Sequence, residues 1–186
     1  MKMLSDKPFH IELESLYWIK NDGADDPDDL CLHGHVSVII GGINFEYDAT
    51  VSAAGLYLLR TLTENHIIHE GESMLPCCGN SMIANEDLSA VDIFGCPNGL
   101  DWSVIHEDGK VKLFAETGKS VTISLENYED EVFAFADSIE SYYNKCLPKN
   151  FPAEEAERNG YTAFWNEWKR RKNSHISYQE KLREEV

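Results

Sequence analysis

Positive charge is scarce in this chain. Sixteen Lys and Arg stand against 33 Asp and Glu, for a net charge of −17, and such a field repels nucleic-acid and membrane phosphates. The deficit is local. Residues 153–186 balance seven basic side chains with seven acidic ones, so the whole excess lies in residues 1–152, with nine Lys and Arg against 26 Asp and Glu. Long apolar runs are missing too: nothing approaches the roughly 18 residues of a membrane helix, and the N-terminus has no signal-peptide pattern. The expected location is therefore cytoplasmic.

Several catalytic and binding signatures are absent. The chain contains neither G-x-G-x-x-G nor G-x-x-x-x-G-K-[ST], which cradle phosphates, and no G-x-S-x-G nucleophile elbow. No C-x₂₋₄-C knuckle marks a structural zinc, no internal repeat occurs, and the aspartates of NDGADDPDD, Asn21 to Asp29, do not have the spacing of an EF-hand loop. Five cysteines, an odd number without a secretion signal, point to reduced thiols rather than a disulfide framework.

What is present is ample core material. Hydrophobic residues are 42% and aromatics 11% of 186 residues, enough to bury a core without staples. The expected fold is one α+β domain over 1–172, an antiparallel sheet of about six or seven strands packed by three helices, followed by a polar tail at 173–186. Phe9 to Ile19 alternates as a half-buried strand, with Phe9, Ile11, Leu13, Tyr17 and Ile19 on one side. HVSVII and INFEYD flank Gly41-Gly42, the pair that a two-residue hairpin turn accepts. A helix is expected over about Val51–Asn65. Short strands near Ser81–Ala84 and Ala90–Phe94 precede a meander of Leu100–His106, Val111–Ala115 and Val121–Leu125. A helix capped by Ser124 runs over about Glu126–Lys145, and a last one begins after Gly160 with the stripe Tyr161, Phe164, Trp165 and Trp168.

Chemistry is most concentrated in Pro76 to Trp102, PCCGNSMIANEDLSAVDIFGCPNGLDW, which carries Cys77, Cys78 and Cys96 on turns. Their thiolates could converge on zinc, with a fourth ligand from Cys31, His33, His35 or His106; small cysteines seated in or near the core are the plainer reading. His33 and His35, two apart on a strand, face the same side and could chelate a metal, or be ordinary surface histidines. A thiol triad would need His35 or His106 as base and Asp92 or Asp101 to orient it. These readings make the rival to a binding protein a metal- or thiol-dependent enzyme centred on Cys77, Cys78, Cys96 and His35.

The acidic residues offer the other candidate site. Glu126, Glu129, Asp130, Glu131, Asp137 and Glu140 line one helix that has no Lys or Arg before Lys145, and Asp25, Asp26, Asp28 and Asp29 crowd one loop. Together they are the expected contact surface for a basic protein partner.

The acidic body, the HGHVSVIIGG hairpin leading into VSAAGLYLLRTL, the PCCG and GCPNGLDWSV turns and the closing AFWNEWKRR make the chain resemble small acidic bacterial immunity-type proteins encoded beside polymorphic or contact-dependent toxins. That resemblance implies a non-catalytic module that binds and masks a toxin, often a basic nuclease; no cofactor is expected, and the acidic charge argues against a nucleic-acid or membrane partner.

Overall fold

A computed structural model describes residues 7–79 and 81–184, with side chains as far as 174. Its first unit is a three-stranded antiparallel sheet of β1 (Phe9–Tyr17), β2 (His33–Ile40) and β3 (Ile43–Ala49), in the order β1-β2-β3. The hairpin between β2 and β3 turns at Gly41 and Gly42, whose φ of 58° and 82° are positive, the conformation that only glycine takes without penalty. In β1 a register shift between Leu13 and Ser15 adds one residue. Beyond this bulge the faces exchange: Leu16 pairs with buried Gly34 and packs against the core, while Tyr17 lies opposite His33 on the other face. The simple alternation expected to carry Tyr17 and Ile19 inward fails for that reason.

α1 (Val51–Arg60) follows. Every residue from Val51 to Leu59 is buried, so it is a central helix covered on all sides rather than an amphipathic one lying on the hairpin. Its middle accepts α3 so closely that a Cβ on Gly55 would stand 2.5 Å from the Trp168 ring.

The remaining strands divide into small groups. β4 (Leu75–Pro76) pairs with β7 (Gly99–Leu100), and β5 (Ser81–Ala84) with β6 (Val91–Phe94). β8 (Trp102–Glu107), β9 (Lys110–Ala115) and β10 (Ser120–Ser124) form a three-stranded meander. All the pairings are antiparallel, and the single sheet of six or seven strands is not what forms. Two features of the chain divide it. Pro76 has no amide to extend a ladder. Asp101, between β7 and β8, takes the amides of His69, Met74 and Trp102 on its own carboxylate at 3.0–3.1 Å, replacing strand partners with a side chain.

α2 (Leu125–Tyr143) begins where Ser124 accepts the Asn127 amide at 3.2 Å. α3 (Glu155–Glu184) starts one turn and a half before the expected Gly160 and continues through the residues set apart as a tail. Trp168, Phe164 and Tyr161 face the core, 0%, 1% and 6% exposed, which makes their stripe a docking face on α1 and β5. Among the described residues no helix is long and apolar enough to cross a membrane.

Candidate functional site

The ten acidic residues expected at the surface fall into two classes. Several are occupied internally. Asp29, 2% exposed, accepts the amides of Ile19, Lys20 and Cys31 at 2.9–3.3 Å and so closes the 20s loop from within. Glu131, 6% exposed, holds Lys7 at 2.5 Å, His10 at 2.8 Å and the Ile11 amide, tying α2 to β1. These two belong to the interior and not to a contact surface, because a buried carboxylate is tolerated only with such partners. Asp25 accepts Leu147 N and Lys149 Nζ at 2.6 and 2.8 Å, and Asp28 accepts Asn150 Nδ2 at 2.9 Å. Asp26 Oδ1 takes the Asp28 amide. The loop is thereby stitched to the connector after α2.

On α2 itself, Asp137 and Glu140 are not unrelieved. Lys172 of α3 reaches both at 2.5 Å, and the Trp168 indole donates to Glu140 at 2.6 Å. In the first turns of α2, Glu126 and Asp130 are exposed and Glu129 is half-buried. Burial, then Asp130 and Glu126, push the Glu129 carboxyl above its usual value.

The thiols do meet. Cys77 and Cys96 are bonded as a disulfide, and with Cys78 they place three sulfurs within 4.8 Å of one another, all partly exposed. The expectation that these two would be reduced and unpaired is corrected here. The β4–β7 ladder causes the convergence: Leu75 opposite Leu100 and Pro76 opposite Gly99 bring the two turns side by side, and the Cys77 amide donates to Asn98 O at 3.1 Å. Backbone contact fixes the rest. A Cβ on Gly95 would lie 2.0 Å from Cys78 O, so that position admits only glycine, and Cys96 N–H donates to Cys78 Sγ at 2.8 Å.

The histidines stay apart from this cluster as ligands. His33 Nδ1–H donates to Cys31 O and its Nε2 faces Thr50 Oγ1; His35 pairs with Asp48 at 2.9 Å. His106 is held by Thr61 O and Asp101 by His66, at 2.8 Å each, so the thiol triad is not assembled. Cys31 is remote from nucleophilic duty, since burial pushes its thiol up to about 11.

Beside the 20s loop lies a groove of about 990 Å³. The 28–33 segment, β5, the 150–153 connector and the start of α3 enclose it. Ile19, Ile83 and Phe151 stand on its margin at 58%, 59% and 63% exposure, and Phe151 is propped edge-on against Tyr161 at 5.9 Å. Sequence reasoning missed this rim; the available signal was an aromatic residue between Pro148 and Pro152, where no helix or strand could bury it.

Protonation couples these contacts to stability. Burial alone raises the carboxyls of Asp101, Glu131 and Glu167, but their donors, His66 for Asp101, Lys7 and His10 for Glu131, and Arg60 for Glu167, bring each below its ordinary value. A carboxylate depressed in the folded state stabilises above the unfolded carboxylate range and loses that contribution as pH falls. His33, lowered by burial from 6.5, acts in the same direction below that pH. Urea midpoints should therefore fall steadily below about pH 5, and Glu131→Gln should flatten the decline; equal slopes would remove Glu131 from the account.

Comparison of the chain with protein-family models, with curated proteins and with solved structures finds no match.

Proposed function

We propose that this chain is a non-catalytic protein-binding module that takes a basic partner, with the groove beside the 20s loop as its anchoring site. One observation carries the reading: three large apolar side chains, each more than half exposed, surround a groove in a chain of net charge −17. Isolated apolar residues on a surface need no explanation, whereas a group of them around a concave site fits the anchors of an interface. The charge excess supplies complementarity and a faster encounter with a basic protein, and the apolar rim supplies the affinity that solvated charges alone do not. Asp28 and Glu157 in the groove suit Lys or Arg on the partner. A toxin masked by a cognate immunity protein is a partner of this kind.

The test is affinity purification from the native host with the wild-type chain and with Ile83→Ala/Phe151→Ala. A basic protein should co-purify, and the double variant should bind it more weakly by about 2 kcal/mol or more, roughly 30-fold, the scale of an interface hot spot. Charge reversal at Glu129 and Asp130 should chiefly slow association and reduce its salt dependence. A partner held equally well by the double variant would remove the groove from this role.

A further inference from the structure

The cysteine cluster is independent of that groove, and its chemistry differs. Three sulfurs within 4.8 Å of one another form, among the described residues, the only group of three or more His, Cys, Asp and Glu that gathers so tightly. We propose that Cys77, Cys78 and Cys96 are a redox-gated site for one thiophilic d¹⁰ cation of the zinc or copper(I) class: closed while Cys77 and Cys96 are bonded to each other, and open once that bond is reduced.

The donor set selects the class. All three donors are sulfur, and soft thiolates favour copper(I) and zinc over calcium, magnesium or manganese. The scale fits as well. An ion bonded to sulfur at about 2.3 Å in tetrahedral geometry holds its sulfurs about 3.8 Å apart, so sulfurs already within 4.8 Å need only side-chain adjustment. The frame around them is built for closeness: the β4–β7 pairing aligns the two turns, and Gly95 lets the residue 95 backbone lie directly against Cys78. Partial exposure of all three residues leaves a path for an ion and for a reductant. Three protein sulfurs leave a further coordination position to an external ligand, as zinc sites with three protein ligands do.

The gate balances as an ordinary exchange. A dithiol donates two electrons to the Cys77–Cys96 bond; the S–S bond breaks, each cysteine sulfur gains a proton, and the dithiol closes to its own disulfide. Binding of the ion then displaces the thiol protons of the ligating cysteines. Exchange of the metal-free trio with a small-molecule disulfide runs the other way: that S–S bond is reduced to two thiols as the Cys77–Cys96 bridge re-forms, and the ion is excluded. Cys78 is the member that remains a thiol in both states, and it gives the ion a sulfur that the bridge never uses.

Cadmium is the probe, because its thiolate complexes absorb in the near ultraviolet. Full-length protein is reduced with a phosphine, desalted without oxygen and titrated with cadmium; an oxidised sample is treated alike. The reduced chain should bind one equivalent with the thiolate absorption, displaced by zinc or copper(I), and the oxidised chain less than about a tenth of that. Cys78→Ser should weaken binding by more than the roughly 10–100-fold that loss of an outer support costs, while Cys31→Ser and Cys146→Ser leave it unchanged. Circular dichroism of each variant separates loss of a ligand from loss of the fold, and Cys96→Ser provides the second ligand deletion. Equal binding by oxidised and reduced chains, or equal losses in Cys78→Ser and Cys31→Ser, would overturn the proposal, as would the absence of stoichiometric binding by the folded, reduced chain. None of these outcomes depends on the partner in the groove.

Discussion

Glu167→Ala should lower the free energy of unfolding by about 3–5 kcal/mol, as removal of one member of a buried ion pair does. The carboxylate is 1% exposed and sits between two guanidiniums. Arg60 donates to it through Nε and Nη2 at 2.9 and 2.8 Å, Arg171 donates through Nε at 2.8 Å, and the Val91 amide adds a fourth bond at 3.0 Å. Arg60 also donates to Val91 O. The cluster thus joins α1, α3 and β6, and its loss leaves Arg60 partly buried without its counter-charge, Arg171 with Glu64 alone, and the Val91 amide without its acceptor. Glu167→Gln retains an acceptor for Val91 but not the charge, so it should cost less than the alanine variant. Urea unfolding of both at pH 7 measures the difference; a cost below about 1 kcal/mol for Glu167→Ala would assign the three-element joint to packing alone.

Trp168→Ala is expected to cost a similar amount, about 3–5 kcal/mol, the range for deleting a large core aromatic. The ring is fully buried, packs at a tilt against Phe164 and Trp165 with centroids 5.7 and 5.6 Å away, and fills the space left by the absent side chain of Gly55. Its indole also donates to Glu140. Trp168→Phe should therefore recover much of the packing but not the hydrogen bond, and fall between the two. The neighbouring positions 167 and 168 face different partners, yet share α3, so the double variant is expected to depart from additivity. A thermal or urea midpoint for Trp168→Ala equal to wild type would show that α3 docks through its ion pairs alone.

Local patterns were readable in the chain. Gly41-Gly42 specifies a tight turn because two positive φ angles exclude most other residues, and the alternation on either side then sets the hairpin. Ser124 caps α2 as its position before an amphipathic run suggests. The meander of β8 to β10 lies close to the expected strands because each turn carries its own glycine, at Gly109 and Gly118, both with positive φ.

Contacts between distant segments were not readable. Nothing local in Val51–Arg60 reveals that α2 and α3 would both pack on it and leave Val51 to Leu59 buried throughout. The acidic helix looked unrelieved because its counter-charge, Lys172, lies 32 and 35 residues away from Glu140 and Asp137. Asp29 and Glu131 could not be distinguished by residue type from exposed carboxylates; only the amides and cations folded around them do that. The exposed rim of Ile19, Ile83 and Phe151 draws on three segments separated by more than sixty residues each.

By itself, then, the sequence determined the α+β character, the hairpin, the Ser124 cap and the sign of the charge, since each follows from steric and electrostatic preferences acting over a few neighbouring residues. The tertiary structure alone decided which carboxylates remain outside, how the strands divide into small sheets, and that Cys77, Cys78 and Cys96 meet. Those outcomes depend on pairing across long loops, where Asp101 takes strand amides and the Leu75–Leu100 register draws two cysteine turns together, and no short-range preference encodes such a register.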